Sequence, residues 1–496
     1  MRILFHITAT SVLRHFLDVV LTLADRGHQI RVAYTEEPLQ PPAEFGNSPL
    51  ITFVQAPPAR TDTWREAAIE LRALRDYLRY LQPPFAAAEK LRARAFRKGI
   101  NRLSGGAHRH VSIRCPRCAH DIADEALIGA LTANYPDAPG TMARRLALIE
   151  SAIPTDARVD RFLDDERPDV VVVTPLIRIG SDQPEYVKSA RAKGIPVAFP
   201  VFSWDNLSTK GLIHVHPDRV LVWNEWQKEE AVLLHAVPAE SVHVTGAPRF
   251  DRFFALQPQI PRDEFCRVER LNPAQPIVTY LCSSEFVADA VREREFVLRW
   301  IDAVRRHPDL ASCNVVIRPH PRHKAVWKKF DTGRPHVTVI APRSISTDQS
   351  LLELLHHSAA VVGLNTSAQL EAAIAGRPVL TLLVPEFEGG QTGTLHFRYL
   401  LREHGGFVDV AADFDTHRAQ LAAAVHGEID RDAIRTFTNA FLRPHGHDHP
   451  AAPIMADAIE TLAGAGHQSW PKPLESPRRR RGESAGVVRD TAADRR

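Results

Sequence analysis

Short apolar runs alternate with stretches of helical spacing along most of this 496-residue chain, and no other feature constrains its fold as much. The opening shows the pattern. Arg2–Ile7 is short and apolar, Val12–Asp25 has helical spacing that Gly27 ends, and Gln29–Tyr34 is rich in β-formers. Such alternation is typical of parallel strands joined by helices. The sequence therefore predicts an α/β protein built on doubly wound sheets.

The β-rich runs form two series, separated by a weakly patterned stretch from about Ala255 to Ala274. The first series continues with Asp169–Thr174, Pro196–Phe202, Arg219–Trp223 and Ser241–Thr245. The second comprises Ile277–Cys282, Asn314–Ile317, Val337–Ile340, Ala359–Val362 and Pro378–Leu382. We expect one domain over residues 1–255, a second over 275–440, and a closing helix over 441–463.

Residues 60–115 look like a helical arm inserted in the first domain. Its basic side chains are Lys90, Arg92, Arg94, Arg97, Lys98 and Arg102, which apolar residues accompany. The arm either docks on anionic lipid headgroups or is a solvated helix face. Residues 464–496 have no apolar period and are expected to be a disordered basic tail.

The charge balance argues against a nucleic-acid partner. Lys and Arg number 62 against 59 Asp and Glu, a net charge of +3, and the excess lies in the tail. No uncharged apolar run is as long as the roughly 18 residues of a membrane span, and Met1–His6 has no signal-peptide layout. We expect a cytoplasmic protein with peripheral contact at the inner membrane face.

Two clusters contain residue types that bind metals. Cys115 and Cys118 have three histidines nearby, which are His108, His110 and His120. A single Cys-x-x-Cys lacks the second pair that would make a zinc site specific, so zinc binding there stays open. The His445–His449 run is interpreted as a polar connection, and no metal is assigned.

Ligands of open α/β sheets bind beyond the carboxyl ends of the strands, so residues that follow each β-run are the candidates. Ser283 and Ser284 follow Ile277–Cys282 and are interpreted as the start of a helix, where free N–H groups suit a phosphate or the serines serve as an ordinary cap. After Asn314–Ile317 the sequence Arg-Pro-His-Pro-Arg-His-Lys begins at Arg318. It predicts a stiff anion site or a solvated basic turn.

The strongest signal is the segment Val361–Val379, in which a buried strand leads to a polar turn and a helix of small residues. The turn holds Asn365, Thr366 and Ser367, whose hydroxyls would add to a phosphate site. Glu371 lies one turn further on and can bind the vicinal hydroxyls of a ribose. The alternative is a plain capping box, for which Thr366 and Gln369 have the right spacing.

These motifs, together with Ser346-Thr347-Asp348, resemble the donor half of GT-B glycosyltransferases. They are similar to the surface-polysaccharide branch near CDP-glycerol glycerophosphotransferases and UDP-N-acetylglucosamine 2-epimerases. Gly27-His28 and the Val244–Asp251 segment, which includes Arg249, resemble the same superfamily. The resemblance implies two Rossmann-like domains facing across a cleft. It also implies that His320 contacts the diphosphate, Thr366 and Ser367 the phosphates, and Glu371 the ribose, with Asp348 nearby.

Candidates for catalysis and acceptor binding lie in the first domain. The Phe202–Gly211 segment contains Trp204, which could stack on a sugar ring, and Asp205, a general base if desolvation raises its pKa. Asn206 and Lys210 complete the group. The alternative is an Asx-type turn with Trp204 in the core. His6 and His15 are rival bases, although His6 ends a buried strand as a core histidine would.

The sequence thus predicts a metal-independent glycosyltransferase without a cofactor. A nucleotide-activated sugar is its donor, and a surface polysaccharide or a lipid-linked glycan is its acceptor. The alternatives are a CDP-glycerol-type glycerophosphotransferase, a hydrolysing sugar-nucleotide 2-epimerase and a non-catalytic nucleotide-sugar binder. The last would be favoured if Asp205, His6 and His15 were all buried or remote from the cleft.

Overall fold

The computed structural model describes residues 1–36, 41–46, 48–58, 60–103, 133–135, 137–328, 332–341 and 347–465. Their strands form two separate sheets in which every pairing is parallel. Cys115, Cys118 and their neighbouring histidines, for which zinc binding stays open, lie outside the described residues. Ser346 and the tail from residue 466 lie outside them as well.

The first sheet has seven strands in the order β3-β2-β1-β4-β5-β6-β7. Its strands are β1 Arg2–Ile7, β2 Gln29–Tyr34, β3 Ile51–Gln55, β4 Val170–Thr174, β5 Val197–Pro200, β6 Arg219–Val222 and β7 Val242–Val244. The sheet is wound in both directions from the β1–β4 pair, so the chain reverses its strand order there. The central strands are β-branched and buried on both faces because helices cover the sheet.

The second sheet repeats this order with six strands, β10-β9-β8-β11-β12-β13, and reverses between β8 and β11. Its strands are β8 Ile277–Leu281, β9 Asn314–Arg318, β10 Val337–Val339, β11 Ala360–Gly363, β12 Val379–Leu382 and β13 Asp409–Ala411. The expectation of two doubly wound α/β units is confirmed. The sequence analysis did not predict strands β3 and β13, because both are edge strands with few buried residues.

Helices connect the strands. In the first half they are α1 Thr10–Leu13, α2 Leu17–Asp25, α3 Arg65–Tyr80, α4 Glu89–Leu103, α5 Ala138–Ser151, α6 Ala157–Glu166, α7 Gln183–Ala192, α8 Asn206–Thr209, α9 Glu225–His235 and α10 Asp251–Ala255. In the second half they are α11 Arg262–Glu269, α12 Ala290–Val304, α13 Lys324–Trp327, α14 Thr347–His357, α15 Ala368–Ile374, α16 Phe414–Val425, α17 Arg431–Leu442 and α18 Ala451–Ala465. None of these described helices is long and apolar enough to cross a bilayer.

Local chemistry explains where several helices start and stop. Asp156, Asn224 and Asp289 begin α6, α9 and α12, and each accepts a backbone N–H with its side chain. Gly27 follows α2 with φ of +85°, a left-handed conformation that glycine adopts without a steric penalty. The single helix expected over Val12–Asp25 is divided into α1 and α2, which places Arg14 and His15 in the break between them.

The described part of the arm consists of α3 and α4, with α5 packed against α3. Buried ion pairs attach α3 to the first domain. Arg72 donates to Glu150 on α5 and to Glu185 on α7, at 2.6 and 2.7 Å. Arg72, Glu150 and Glu185 are all buried. Removing one partner would therefore leave a buried charge without a compensating charge. The arm is therefore firmly attached to the domain from which it projects.

The chain returns to its first half at the end. Helix α18 packs against α2, and Met455 and Ile459 join the core of the first domain. Asp251 accepts the N–H groups of Ala451 and Ala452 at the start of α18, at 3.0 and 2.7 Å. The last helix thus crosses from one half of the molecule to the other.

Candidate active site

A cleft of about 880 Å³ lies where the carboxyl ends of the two sheets face each other. Both halves of the chain line it. Of the predicted site residues it brings together His15, Trp204, Asp205, Lys210, Arg249, Ser284, Arg318, His320, Asp348, Asn365, Thr366, Ser367 and Glu371. Residues as far apart in the chain as His15 and Glu371, which are 356 positions apart, therefore share one cavity, as the topology of doubly wound sheets predicts.

The end of β9 and the loop that follows it line the cleft with two arginines, Arg318 and Arg322. Arg318 ends β9, is 6% exposed, and donates to Ser350 Oγ at 2.9 Å. Arg322 follows in the same loop, and Arg14 reaches the cleft from the first domain. His320 lies between them. Burial lowers its pKa to about 4, helped by His323, Arg322 and Arg14. His320 is therefore neutral at pH 7, and the positive charge comes from guanidinium groups.

Glu371 lies on α15 and faces Arg249 of the first domain, with Oε1 accepting from Nη2 at 3.2 Å. Burial raises the pKa of Glu371, against the opposing effect of Arg249. Its second oxygen, Oε2, has no hydrogen-bond partner among the described residues. An unpaired buried acceptor is costly unless a ligand satisfies it.

Half of the capping box is present at the start of α15. Gln369 Oε1 accepts the N–H of Thr366 at 3.0 Å, so that amide is not free for a phosphate. The Thr366 side chain still lines the cleft. Asn365 donates to the Gly390 carbonyl at 2.7 Å, and its Oδ1 has no partner among the described residues. Side chains, more than free backbone amides, are what this turn offers a ligand.

Trp204 lines the cleft, but its ring is largely covered by neighbouring residues. Trp204 is 3% exposed, and its Nε1 donates to Ser367 Oγ across the cleft at 3.1 Å. Its ring meets the edge of His396 with centroids 4.8 Å apart. The indole thus joins the two domains, because the Phe202–Gly211 loop packs directly against the turn after β11.

Asp205 lies in the cleft. Its proposed role as a base required a raised pKa, and its pKa is lowered. Burial would raise its pKa, yet Lys210, His396 and the hydroxyls of Ser203 and Thr209 together lower it below the ordinary value. The Ser203 hydroxyl donates to Asp205 Oδ1 at 2.7 Å. The carboxylate is therefore ionised and accepts from side chains of its own loop, without the side-chain hydrogen bond to a backbone N–H that an Asx-type turn would have.

His15 lines the cleft from the break between α1 and α2. Burial lowers its pKa well below the ordinary value, and Arg249 and Arg14 lower it further. Its Nδ1 has no partner among the described residues. A neutral imidazole has one nitrogen able to accept a proton, and here that ring faces the cavity.

Three predicted site residues do not line the cleft. His6 is fully buried in β1, where Gln183 donates to its Nδ1 at 3.0 Å and Tyr186 stacks on its ring. Burial lowers its pKa to about 3. Asn206 turns inward and its Oδ1 accepts the N–H of Ser203 at 3.1 Å. Both side chains make hydrogen bonds within the first domain and do not face the cleft.

Ser283 is the third. It is completely buried, and its N–H donates to both oxygens of Glu293, at 2.8 and 3.0 Å. The helix expected after Ser284 begins only at Ala290, with Asp289 as its cap. Ser284 lines the cleft, but neither serine lies at a helix start.

Sequence reasoning missed Arg14, Phe286 and His396, which also line the cleft. Arg14 adjoins the predicted His15, so its position after β1 was a usable signal. Phe286 follows the predicted serine pair. His396 is far from any strand end, and burial lowers its pKa to about 4. Among the described residues, no group of three or more His, Cys, Asp or Glu side chains could hold a metal ion.

The same two-domain arrangement occurs in solved structures of other proteins. A putative UDP-N-acetylglucosamine 2-epimerase from Listeria monocytogenes aligns over 96% of this chain and 99% of its own, with a TM-score of 0.51 and 11% identity. The MnaA–UDP co-structure from S. aureus aligns over 93% of this chain and 97% of its own, with a TM-score of 0.50 and 12% identity. No protein-family model and no curated protein matches the sequence. At such identities the likeness concerns the fold alone.

Proposed function

Because the chain has the GT-B fold, we propose that it is a glycosyltransferase. It moves a sugar from a nucleotide-activated donor to a surface-polysaccharide or lipid-linked acceptor. One observation carries the proposal. A single cleft combines arginines suited to a diphosphate, a buried carboxylate with an unpaired oxygen suited to a ribose, and a neutral histidine facing them from the other domain.

The donor is bound mainly by the second domain. Glu371 Oε2 accepts a ribose hydroxyl, which satisfies the oxygen that otherwise has no partner. Arg318 and Arg322, with Arg14 from the first domain, face the diphosphate, because guanidinium groups bind phosphate oxygens in pairs. The hydroxyls of Thr366 and Ser367 add donors. For Ser367 this requires the hydroxyl proton to point away from Trp204, from which its oxygen accepts.

Transfer then needs a base and a stabilised leaving group. His15 takes the proton from the acceptor hydroxyl as that oxygen bonds to the anomeric carbon. The bond from this carbon to the phosphate oxygen breaks, and the nucleoside diphosphate leaves with both electrons. Preorganised arginines stabilise the negative charge that develops on it.

The test is a binding screen with a built-in control. Purified chain is titrated with UDP, GDP, CDP and CMP, and the preferred nucleotide is compared with its 2′-deoxy form. We expect Glu371→Gln to weaken the ribonucleotide by roughly 10- to 100-fold, the range for a hydrogen bond to a charged group. It should also abolish the preference over the deoxynucleotide.

Glu353→Gln is the matched control. Glu353 is also a buried carboxylate of the second domain, but it accepts the N–H of Gln259 at 2.7 Å, outside the cleft. Equal weakening of the ribonucleotide and deoxynucleotide by Glu371→Gln would contradict the ribose role. A chain that binds none of these nucleotides would remove the proposal itself.

A sugar-nucleotide 2-epimerase is the second candidate, because the Listeria fold relative bears that name. The two functions differ in what they need. An epimerase of the hydrolysing kind converts UDP-N-acetylglucosamine without an acceptor, whereas a transferase leaves it largely intact until an acceptor is added. Incubation of that donor alone with the chain, followed by NMR of the sugar protons, separates them.

A further inference from the structure

A second cavity, of about 470 Å³, adjoins the cleft at the reversal point of the first sheet. We call it the arm pocket. Residues that follow β1 and β4 form one side of it, and helices α3 and α4 of the arm form the other. Reversal points of open α/β sheets are where ligands bind. Its volume lies in the range of about 300–1,000 Å³ that small-molecule sites occupy.

The walls of the arm pocket are largely apolar and aromatic. The apolar lining includes Tyr77, Tyr80, Leu91, Ala95, Phe202 and Phe286. Several of these belong to a small core that α3 and α4 share, and Phe286 of the second domain packs against that core. Such walls suit a hydrocarbon chain or ring better than a polar glycan.

Cations surround this apolar space. Arg94 and Lys98 are exposed, line the pocket, and lie one turn apart on α4. Lys210 lines it from the cleft side. Among the described lining residues the one carboxylate is Glu36, and it is paired with Arg178. The pocket therefore combines apolar walls with a surplus of positive charge.

The arm pocket and the cleft share a wall. Lys210 and Phe286 line both cavities, and the Lys210 ammonium lies 5.5 Å from the centre of the Phe286 ring. Phe202 lines the arm pocket and packs against His15, with ring centroids 5.2 Å apart. A group held in the arm pocket would thus reach the donor next to the proposed base.

We propose that the arm pocket binds the acceptor, and that the acceptor is an amphiphile with an apolar chain attached to a phosphate or diphosphate. The chain occupies the apolar space, and its anionic group pairs with Arg94, Lys98 and Lys210. The acceptor nucleophile then passes Lys210 and Phe286 to the donor sugar. This inference rests on the proposed transferase function for its role, but binding to the pocket is testable without catalysis.

Decyl phosphate below its micelle concentration is the probe, measured by calorimetry on the full chain. We expect saturable binding that persists with the preferred nucleotide present, because the two ligands occupy different cavities. Ala95→Trp should weaken it at least tenfold by filling the pocket. Arg94→Glu, an exposed substitution that should not disturb folding, should weaken it to a similar extent.

The matched control is Arg92→Glu on the same helix, which does not line the pocket. It should leave decyl phosphate binding unchanged. Decanol and inorganic phosphate should each bind more weakly than decyl phosphate. Binding of decyl phosphate should not require the presence of phosphatidylglycerol vesicles. In all three variants the nucleotide response should equal that of the natural chain.

Several outcomes overturn the inference. Displacement of decyl phosphate by nucleotide would place it in the cleft. Equal effects of Arg92→Glu and Arg94→Glu would indicate general attraction to a basic helix face. Equal binding of inorganic phosphate would indicate a plain anion site, and binding to vesicles alone a membrane surface. A chain that binds nucleotide but not decyl phosphate refutes the inference and leaves the proposed function standing.

Discussion

At the scale of the residue, burial sets the protonation of the candidate site. It lowers the pKa of His320 and His396 to about 4 and that of His15 well below its ordinary value. These histidines are neutral at pH 7. The positive charges that line the cleft are therefore those of its arginines and Lys210, and a neutral histidine remains available to accept a proton.

His15→Gln tests the proposed base. We expect kcat to fall by about 10²- to 10⁴-fold, the usual contribution of general base catalysis, with nucleotide affinity unchanged. The rate of the natural chain should show no ionisation near pH 6.5. His6→Gln is the comparison, and it should lower the melting temperature and leave kcat of the folded protein intact. Similar kcat losses in both variants would refute the assignment.

Glu293 predicts a pH-dependent stability. Burial raises its pKa from 4.5 to about 7, despite the hydrogen bonds from Ser283. The folded state thus holds this proton to higher pH than the unfolded state does. The contribution of Glu293 is most favourable below pH 4.5 and declines as pH rises to 7, by about 3 kcal/mol.

This effect is tested by measuring the free energy of unfolding of the natural chain and of Glu293→Gln by urea denaturation at several pH values. The glutamine keeps a hydrogen-bond acceptor for the Ser283 N–H but does not titrate. The difference in the free energy of unfolding between the two proteins should therefore change between pH 4.5 and 7. Parallel pH profiles would show that Glu293 is not the titrating group.

At the scale of the element, the arm positions the loop that faces the cleft. Arg79 on α3 donates to the carbonyls of Leu207 and Lys210, and Tyr80 donates to the Lys210 carbonyl at 2.6 Å. The ion pairs of Arg72 hold α3 itself. A helical insertion thus supports residues of the candidate site as well as the wall of the arm pocket.

Tyr80→Phe removes the hydrogen bond to the Lys210 carbonyl and the one that the Tyr80 hydroxyl accepts from Arg79 Nη2 at 2.8 Å, and it leaves the packing in place. We expect a loss of about 1 kcal/mol in the free energy of unfolding, because Arg79 still pairs with the Lys210 carbonyl. Tyr77→Phe is the control, since the Tyr77 hydroxyl makes no hydrogen bond to a described residue and its change should be smaller. Urea denaturation of both proteins decides, and equal losses would argue against a supporting role for Tyr80.

At the scale of the whole molecule, two contacts join the halves by different means. The Trp204–Ser367 hydrogen bond connects the loops across the cleft. Helix α18 returns to the first domain, where buried Asp251 binds its first N–H groups and accepts from Arg443 at 3.2 Å. The second contact ties the end of the described chain to the residues just before the second domain begins.

Asp251→Ala should cost about 3 kcal/mol, because it exposes unpaired N–H groups at α18 and leaves Arg443 buried without its carboxylate. Asp289→Ala, which removes an exposed cap within one domain, should cost about 1 kcal/mol. The two variants are compared by their free energies of unfolding, measured by urea titration. Equal costs would show that the contact between the halves adds nothing beyond capping.

The two series of parallel strands and the motifs that meet in the cleft could be predicted from the amino-acid sequence. Both are local properties, since apolar runs mark buried strands and ligand-binding residues follow strand ends. Thus Arg318, Thr366 and Glu371, far apart in the chain, were expected to lie together, and they line one cavity.

Which of these groups already have hydrogen-bond partners within the protein could not be predicted from the sequence and is known from the three-dimensional fold. The side chain of Gln369 accepts the N–H of Thr366, and the carboxylate of Glu293 accepts the N–H of Ser283. The hydroxyl oxygen of Ser367 accepts from Trp204. The fold also created the arm pocket, whose walls come from both domains and the arm. The physical reason is that hydrogen-bond partners and cavity walls are contributed by residues distant in sequence, which local patterns do not pair.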